Sequence, residues 1–202
     1  MLALDSLSLP FVRSQLHRLP VFDQLIEQGS LRQLSSSADF ASESVWASFC
    51  LGAHPGMHGH YFPFQWDARA MSFRRPVRGR WAQHFRFEPF WFDLARKGFK
   101  VVVLDVFDIG CQTNAPCIQI VNWSHQVSAS AFSNPPELLP EMRSRFGYRP
   151  IGKEVSLPKG RRQCNVIRDS LLRAVKAKAD AIIWLAQTQD WQIPARGDVR
   201  TS

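Results

Sequence analysis

From Val101 to Phe107 the chain reads Val-Val-Val-Leu-Asp-Val-Phe, a nearly unbroken apolar run rich in β-branched residues. A strand with one face in water alternates polar and apolar side chains. A run that is apolar at both parities needs cover on both faces, which is the environment of a parallel strand flanked by helices. Just upstream, Phe90 to Lys97 reads as a helix with Gly98 as its cap. A helix that leads straight into a doubly covered strand points to an α/β fold.

The rest of the chain keeps this rhythm. Pro10 opens a segment with Phe11, Val12, Leu16 and Leu19 at helical spacing, and Pro20 interrupts it. Val21, Phe22, Leu25 and Ile26 then share one helical face that stops at Gly29. Val45 to Leu51 starts another helix, and Gly52, Pro55, Gly56 and Gly59 break the regular structure after it. Ile118 to Val121 is a second strand. Pro135 and Pro136 introduce a helix through Phe146 that Gly147 closes. Val166, Ile167, Leu171, Leu172, Val175, Ala179, Ile182, Ile183 and Leu185 predict a long amphipathic helix to about Gln187. Met1 to Leu4 reads as the end of a strand. Residues 60–89, aromatic and Arg-rich with weak periodicity, read as an excursion and not as a core element.

Composition narrows the function classes. At 45% apolar and 21% charged residues, the 202-residue chain has ordinary globular usage, so disorder throughout is excluded. No apolar run approaches the ~20 residues of a membrane span, and no signal-peptide pattern is visible. These readings predict a cytoplasmic protein with no membrane partner. Cys50, Cys111, Cys117 and Cys164 are scattered and form no CxxC pair, which fits reduced thiols better than a zinc motif or a disulfide scaffold. The net charge of +8 favours anionic partners. Arg74, Arg75, Arg78, Arg80 and Arg86 are interleaved with Phe73, Trp81, Phe85 and Phe87, a pattern that can hold single-stranded nucleic acid. A solvated loop with inward-facing aromatics explains it as well. A nucleic-acid or polyanion module using residues 74–86 is the alternative reading, and nucleic acid is not the expected partner.

Three local features bear on chemistry. Asp5 follows the apolar stub; a carboxylate there either faces a ligand crevice or begins a turn. Ser42 and Ser44 stand just ahead of a helix, whose unpaired N–H groups suit a phosphate; a hydroxyl there is a nucleophile or simply an N-cap. His54 and His58 are four apart, but Pro55 and Gly56 argue against a shared helical face. They read as a tight turn in which His58 holds backbone groups, not as a zinc-peptidase pair.

Taken together, these stretches resemble the type I phosphodiesterase and nucleotide pyrophosphatase family of the alkaline phosphatase superfamily. The similarity runs through Leu4-Asp5-Ser6, then Leu19-Pro20 to Gly29, and then Ser42-Glu43-Ser44-Val45-Trp46-Ala47-Ser48-Phe49-Cys50-Leu51-Gly52. It continues with Pro55-Gly56-Met57-His58-Gly59; Trp46 to Gly59 is the specific part. Phe90 through Val106 resembles a W-x-x-L-x-x-x-G-x-x-V-x-x-x-D-V stretch, and Asn122-Trp123-Ser124-His125 resembles W-x-x-H. The family pattern departs at Ser44, where Pro is usual, and at Leu51, where Thr is usual.

The resemblance implies an alkaline-phosphatase-like three-layer α/β sandwich with a mostly parallel central sheet, of which residues 1–191 would be the N-terminal part and residues 192–202 a non-homologous tail. It implies Ser42 as nucleophile, with Ser44 as the alternate. Asp5 and Ser42 would be metal ligands for two zinc or manganese ions, His58 a structural support, and Trp123 and His125 residues of the substrate region. The implied substrates are phosphate or sulfate esters. Only Asp5 and Ser42 of the family's metal-ligand positions are matched. The sequence therefore predicts a truncated or frame-shifted product that is inactive alone.

Overall fold

The computed structural model describes residues 1, 3–4, 7–39, 44–61, 65–74, 87–106, 116–124, 131–150 and 160–189. Its architecture is mixed α/β, with small sheets among helices. The chain divides into two units, Met1–Ser36 and Ser37–Ser202.

In the first unit, α1 spans Leu9–Ser14, with Pro10 in its first turn and the Ser8 side chain accepting the Phe11 N–H. A 3-10 turn at Leu16–Arg18 follows, and then α2 at Pro20–Gln28, again with Pro at the start, where a missing N–H costs nothing. Gly29 ends α2 as expected, but in an extended conformation and not a left-handed one. Glycine is needed there because an added Cβ would stand 2.5 Å from the Leu25 carbonyl oxygen. The expected single apolar face of α2 is divided. Phe22 and Ile26 are half-buried, whereas Val21 and Leu25 are exposed. Met1, Ala3 and Leu4, read as the end of a strand, lie in no strand; an extended segment becomes one only when a neighbour takes its hydrogen bonds.

The second unit contains α3 (Ser44–Leu51), α4 (Pro55–His58), α5 (Phe90–Arg96), α6 (Leu138–Phe146) and α7 (Arg161–Thr188). Strands β1 (Gln65–Asp67) and β2 (Ser72–Arg74) pair as an antiparallel hairpin. They lie inside the segment read as an excursion. The exposed rings of Trp66 and Phe73 meet edge-on across the pair, at 5.2 Å between centroids. Strands of three residues are too short to leave an alternating pattern in the sequence, and for the same reason β5 (Phe132–Asn134) was not anticipated.

The main sheet has the order β3-β4-β5, with β3 at Val102–Val106 and β4 at Ile118–Val121. The β3–β4 pairing is parallel, as the apolar run predicts, and β4–β5 is antiparallel, so the described sheet is mixed. Alternate residues of β3 enter different cores. Val103 packs with Ala47, Cys50, Leu51, Ala53, Trp91, Phe92 and Cys117. Val102 and Leu104 pack against Ile120, Trp123, Leu138, Leu139, Met142, Ala181 and Leu185. Each fully buried side chain of this size contributes roughly 1.5–3 kcal/mol relative to exposure.

The long C-terminal helix forms as expected, but its packing differs. Of the apolar residues expected on its face, Leu185 is buried, while Leu172, Val175, Ile182 and Ile183 are exposed. The small residues Ala174 and Ala181 are buried instead, Ala181 in the core with Trp123 and Leu139.

Candidate active site

The residues of the Trp46–Gly59 motif fold into two helices joined by a tight turn. Helix α3 buries Ser44, Ala47, Cys50 and Leu51, positions spaced to share one face. Gly52, at φ 59°, ends it. His54 then caps α4: its Nδ1 accepts the Gly56 N–H at 3.1 Å, and Pro55 takes the first helical position. Pro and Gly accommodate a single helical turn here, and the two histidines do not share a helical face, as the sequence predicts. Pro suits the first position, and His54 itself stays outside the helix at φ −74°, ψ 149°. The turn closes at Gly59, whose φ of 71° is costly for any other residue and whose N–H reaches the Pro55 carbonyl at 2.8 Å.

This turn places the buried His58 ring against α3. Its Nε2 lies 3.0 Å from Ser48 Oγ, and its Nδ1 accepts the backbone N–H of His60 at 3.0 Å. A backbone N–H can only donate, so Nδ1 must be unprotonated, and in the neutral ring Nε2 carries the proton toward Ser48. Charging His58 would set two donors face to face. Burial lowers the His58 pKa below its ordinary value, and the nearby His60 and His54 lower it further.

At the start of α3, Ser44 is fully buried and its Oγ lies 2.5 Å from Ser37 Oγ. Ser37 belongs to a 3-10 turn at Ser37–Asp39. Ser42, two residues upstream of α3, lies outside the described residues, as do Asp5, His125, Arg75, Arg78, Arg80 and Arg86. Trp123 is fully buried; its Nε1 donates to the Gly147 carbonyl at 2.9 Å, and its ring meets Phe146 edge-on.

A second polar cluster lies at the carboxyl ends of the two parallel strands, the edge where open α/β sheets bind ligands. Asp105 occupies the register shift between β3 and β4 and adopts φ 58°. Asn122, just past β4, adopts φ 56°. The Asp105 side chain is 5% exposed; its Oδ1 accepts the Ser124 N–H at 3.0 Å, and its Oδ2 accepts Ser124 Oγ and lies 2.8 Å from Lys178 Nζ. Asp105 belongs to the Phe90–Val106 motif, for which the sequence predicts no chemical role. The signal was there: a single carboxylate inside an apolar strand must find partners.

Among the described residues, no three His, Cys, Asp or Glu side chains gather as a metal-binding group, so the described part does not by itself supply a metal site. No described helix is long and apolar enough to cross a membrane.

These features define a mixed α/β protein whose most specific motif folds as a helix–turn–helix with a buried imidazole between its arms. The chain belongs to the type I phosphodiesterase / nucleotide pyrophosphatase family, whose family model matches residues 1–190. That family is one of phosphodiesterase- and pyrophosphatase-type hydrolases, directed at phosphate esters. No curated protein and no solved structure matches the chain.

Proposed function

We propose that this chain engages phosphate diesters, or related sulfate esters, at the start of α3, with Ser42 as the reacting hydroxyl. The family match over residues 1–190 carries the reading. The geometry of α3 supports it in two ways. The first turn of a helix offers unpaired N–H groups to an anion. The hydroxyl of Ser44 is buried and engaged with Ser37, which favours Ser42 over Ser44. In the proposed step Ser42 Oγ forms a bond to phosphorus as the bond to the leaving alkoxide breaks, and the Ser42 proton passes to that alkoxide, which departs as the alcohol.

Asp5 and Ser42 are the positions that match the family's metal ligands. A bound zinc or manganese ion supplies positive charge that lowers the pKa of a hydroxyl beside it. One carboxylate and one hydroxyl fall short of the roughly three protein ligands a catalytic zinc needs, so binding without appreciable turnover is expected. His58 acts as a structural support for the turn, and His125 borders the substrate, while the fully buried Trp123 holds its segment through the Gly147 carbonyl. The two cores entered by alternate residues of β3 support a sheet covered on both faces, as in a three-layer α/β arrangement.

Calorimetric titration with bis(p-nitrophenyl) phosphate, with and without manganese, tests this while p-nitrophenolate release is followed. Saturable, manganese-dependent binding with release at the buffer rate is expected. Absence of saturable binding contradicts the reading. Clear turnover that Ser42→Ala removes contradicts the expectation of inactivity.

A further inference from the structure

At the end of α6, two positively charged side chains share one aromatic ring and meet no carboxylate among the described residues. The Arg143 guanidinium carbon lies 4.1 Å from the centroid of the Tyr148 ring, and that of Arg149 lies 5.6 Å from it. Neither guanidinium group has a hydrogen-bonded or ion-paired partner among the described residues, and the Nε of Arg143 is buried without one. Their neighbour Arg145 differs: Glu141 neutralises it at 2.9 Å, and its guanidinium stacks over Trp184.

Unsatisfied buried donors are rare, and each calls for an explanation, an unseen ion among them. The ring attracts the two cations but takes up none of their N–H donors. The carboxyl end of α6 also attracts cations, with the equivalent of about half a negative charge. That is too little to offset two full positive charges, so the described residues of the cluster keep a positive excess.

We propose that Arg143 and Arg149, held against Tyr148, form a binding site for a phosphate oxyanion. Guanidinium forks match phosphate oxygens in pairs, and both forks lie beside the same ring, at 4.1 and 5.6 Å from its centroid. Tyr148 is 59% exposed, so the site opens to solvent. The loop carrying it is anchored from below, because the Gly147 carbonyl accepts the Trp123 Nε1–H. The proposal does not depend on the reading of Ser42. The same oxyanion can arrive as free phosphate or within the backbone of a single-stranded nucleic acid.

The test is calorimetry on the full chain in EDTA, which silences any metal-dependent site, with inorganic phosphate in one arm and a short oligothymidylate in the other. Both arms are run at low salt. Saturable phosphate binding is expected, weakened about tenfold or more in both Arg143→Gln and Arg149→Gln and unchanged in Arg173→Gln on α7. Arg149 is exposed, so its substitution leaves the fold intact, which an unchanged thermal unfolding curve verifies. Tighter oligothymidylate binding with the same arginine dependence identifies the nucleic-acid backbone as the source; equal affinities identify a free oxyanion. Failure of both ligands to bind, or binding that survives both substitutions, overturns the proposal.

Discussion

Ser48 on α3 and His58 at the end of α4 meet at 3.0 Å, and this contact ties the two arms of the family motif together. It requires a neutral imidazole, because His60 donates its N–H to the other ring nitrogen. The His58 pKa is lowered in the folded state, so between that value and the ordinary ~6.5 the unfolded chain binds more protons. Stability from this group is therefore complete above about pH 6.5 and is lost as pH falls through the folded pKa. Urea unfolding at pH 7.5 and pH 5 should show a loss for the wild type that is smaller in His58→Gln. At pH 7.5 the variant should be about 1–3 kcal/mol less stable, since it leaves the Ser48 and His60 groups without their partner.

Asp105 is the next position where chemistry and backbone meet. Removing its carboxylate leaves the Ser124 N–H and hydroxyl unpaired and frees Lys178, which is 32% exposed and so regains part of its hydration. Asp105→Ala should cost about 2–4 kcal/mol. Asp105→Asn should cost less, because Asn tolerates the left-handed backbone at φ 58° and can still accept from Ser124. Equilibrium unfolding of both variants measures this; equal losses would mean that the Ser124 bonds carry little.

Trp123→Phe keeps most of the ring volume in the α6 and α7 core but deletes the bond to the Gly147 carbonyl. A loss of about 1 kcal/mol is expected in thermal or urea unfolding. Trp123→Ala should lose about 3–5 kcal/mol through the cavity it opens.

The fold was legible wherever the signal is local and periodic. The Val101–Phe107 run, the Pro-initiated helices α1 and α2, and the Gly147 stop of α6 follow from residues within a turn or two of one another. The β1–β2 hairpin and β5 were not legible, since three residues cannot display a period of two. At the site, the Trp46–Gly59 motif was readable as a motif. The Ser48–His58 contact was not, because it depends on Pro55 and Gly56 accepting a helical turn that propensity disfavours. The surplus apolar residues of α7 show the limit of periodicity: it tells that a helix can bury a face, but neighbours decide which face is covered.

Cys50 offers a separate check on the core around α3. Burial pushes its thiol up to about 12, and Cys117 is buried in the same cluster, whereas Cys164 on α7 is exposed. In the folded chain an aromatic disulfide reagent should modify Cys164 rapidly at pH 8, while Cys50 and Cys117 should react only after denaturant is added. Peptide mapping after a short pulse reads the order. Early modification of Cys50 would show that the core containing Ala47, Leu51 and Phe92 opens readily.

The most direct measurement is the manganese-dependent affinity for bis(p-nitrophenyl) phosphate in wild type, Ser42→Ala and Asp5→Asn, with circular dichroism confirming that each variant is folded. Ser42→Ala should weaken diester binding about tenfold, equivalent to about 1.4 kcal/mol, and Asp5→Asn should abolish the manganese dependence. Wild-type affinity and wild-type manganese dependence in both variants would contradict the assignment of ester binding to these two residues.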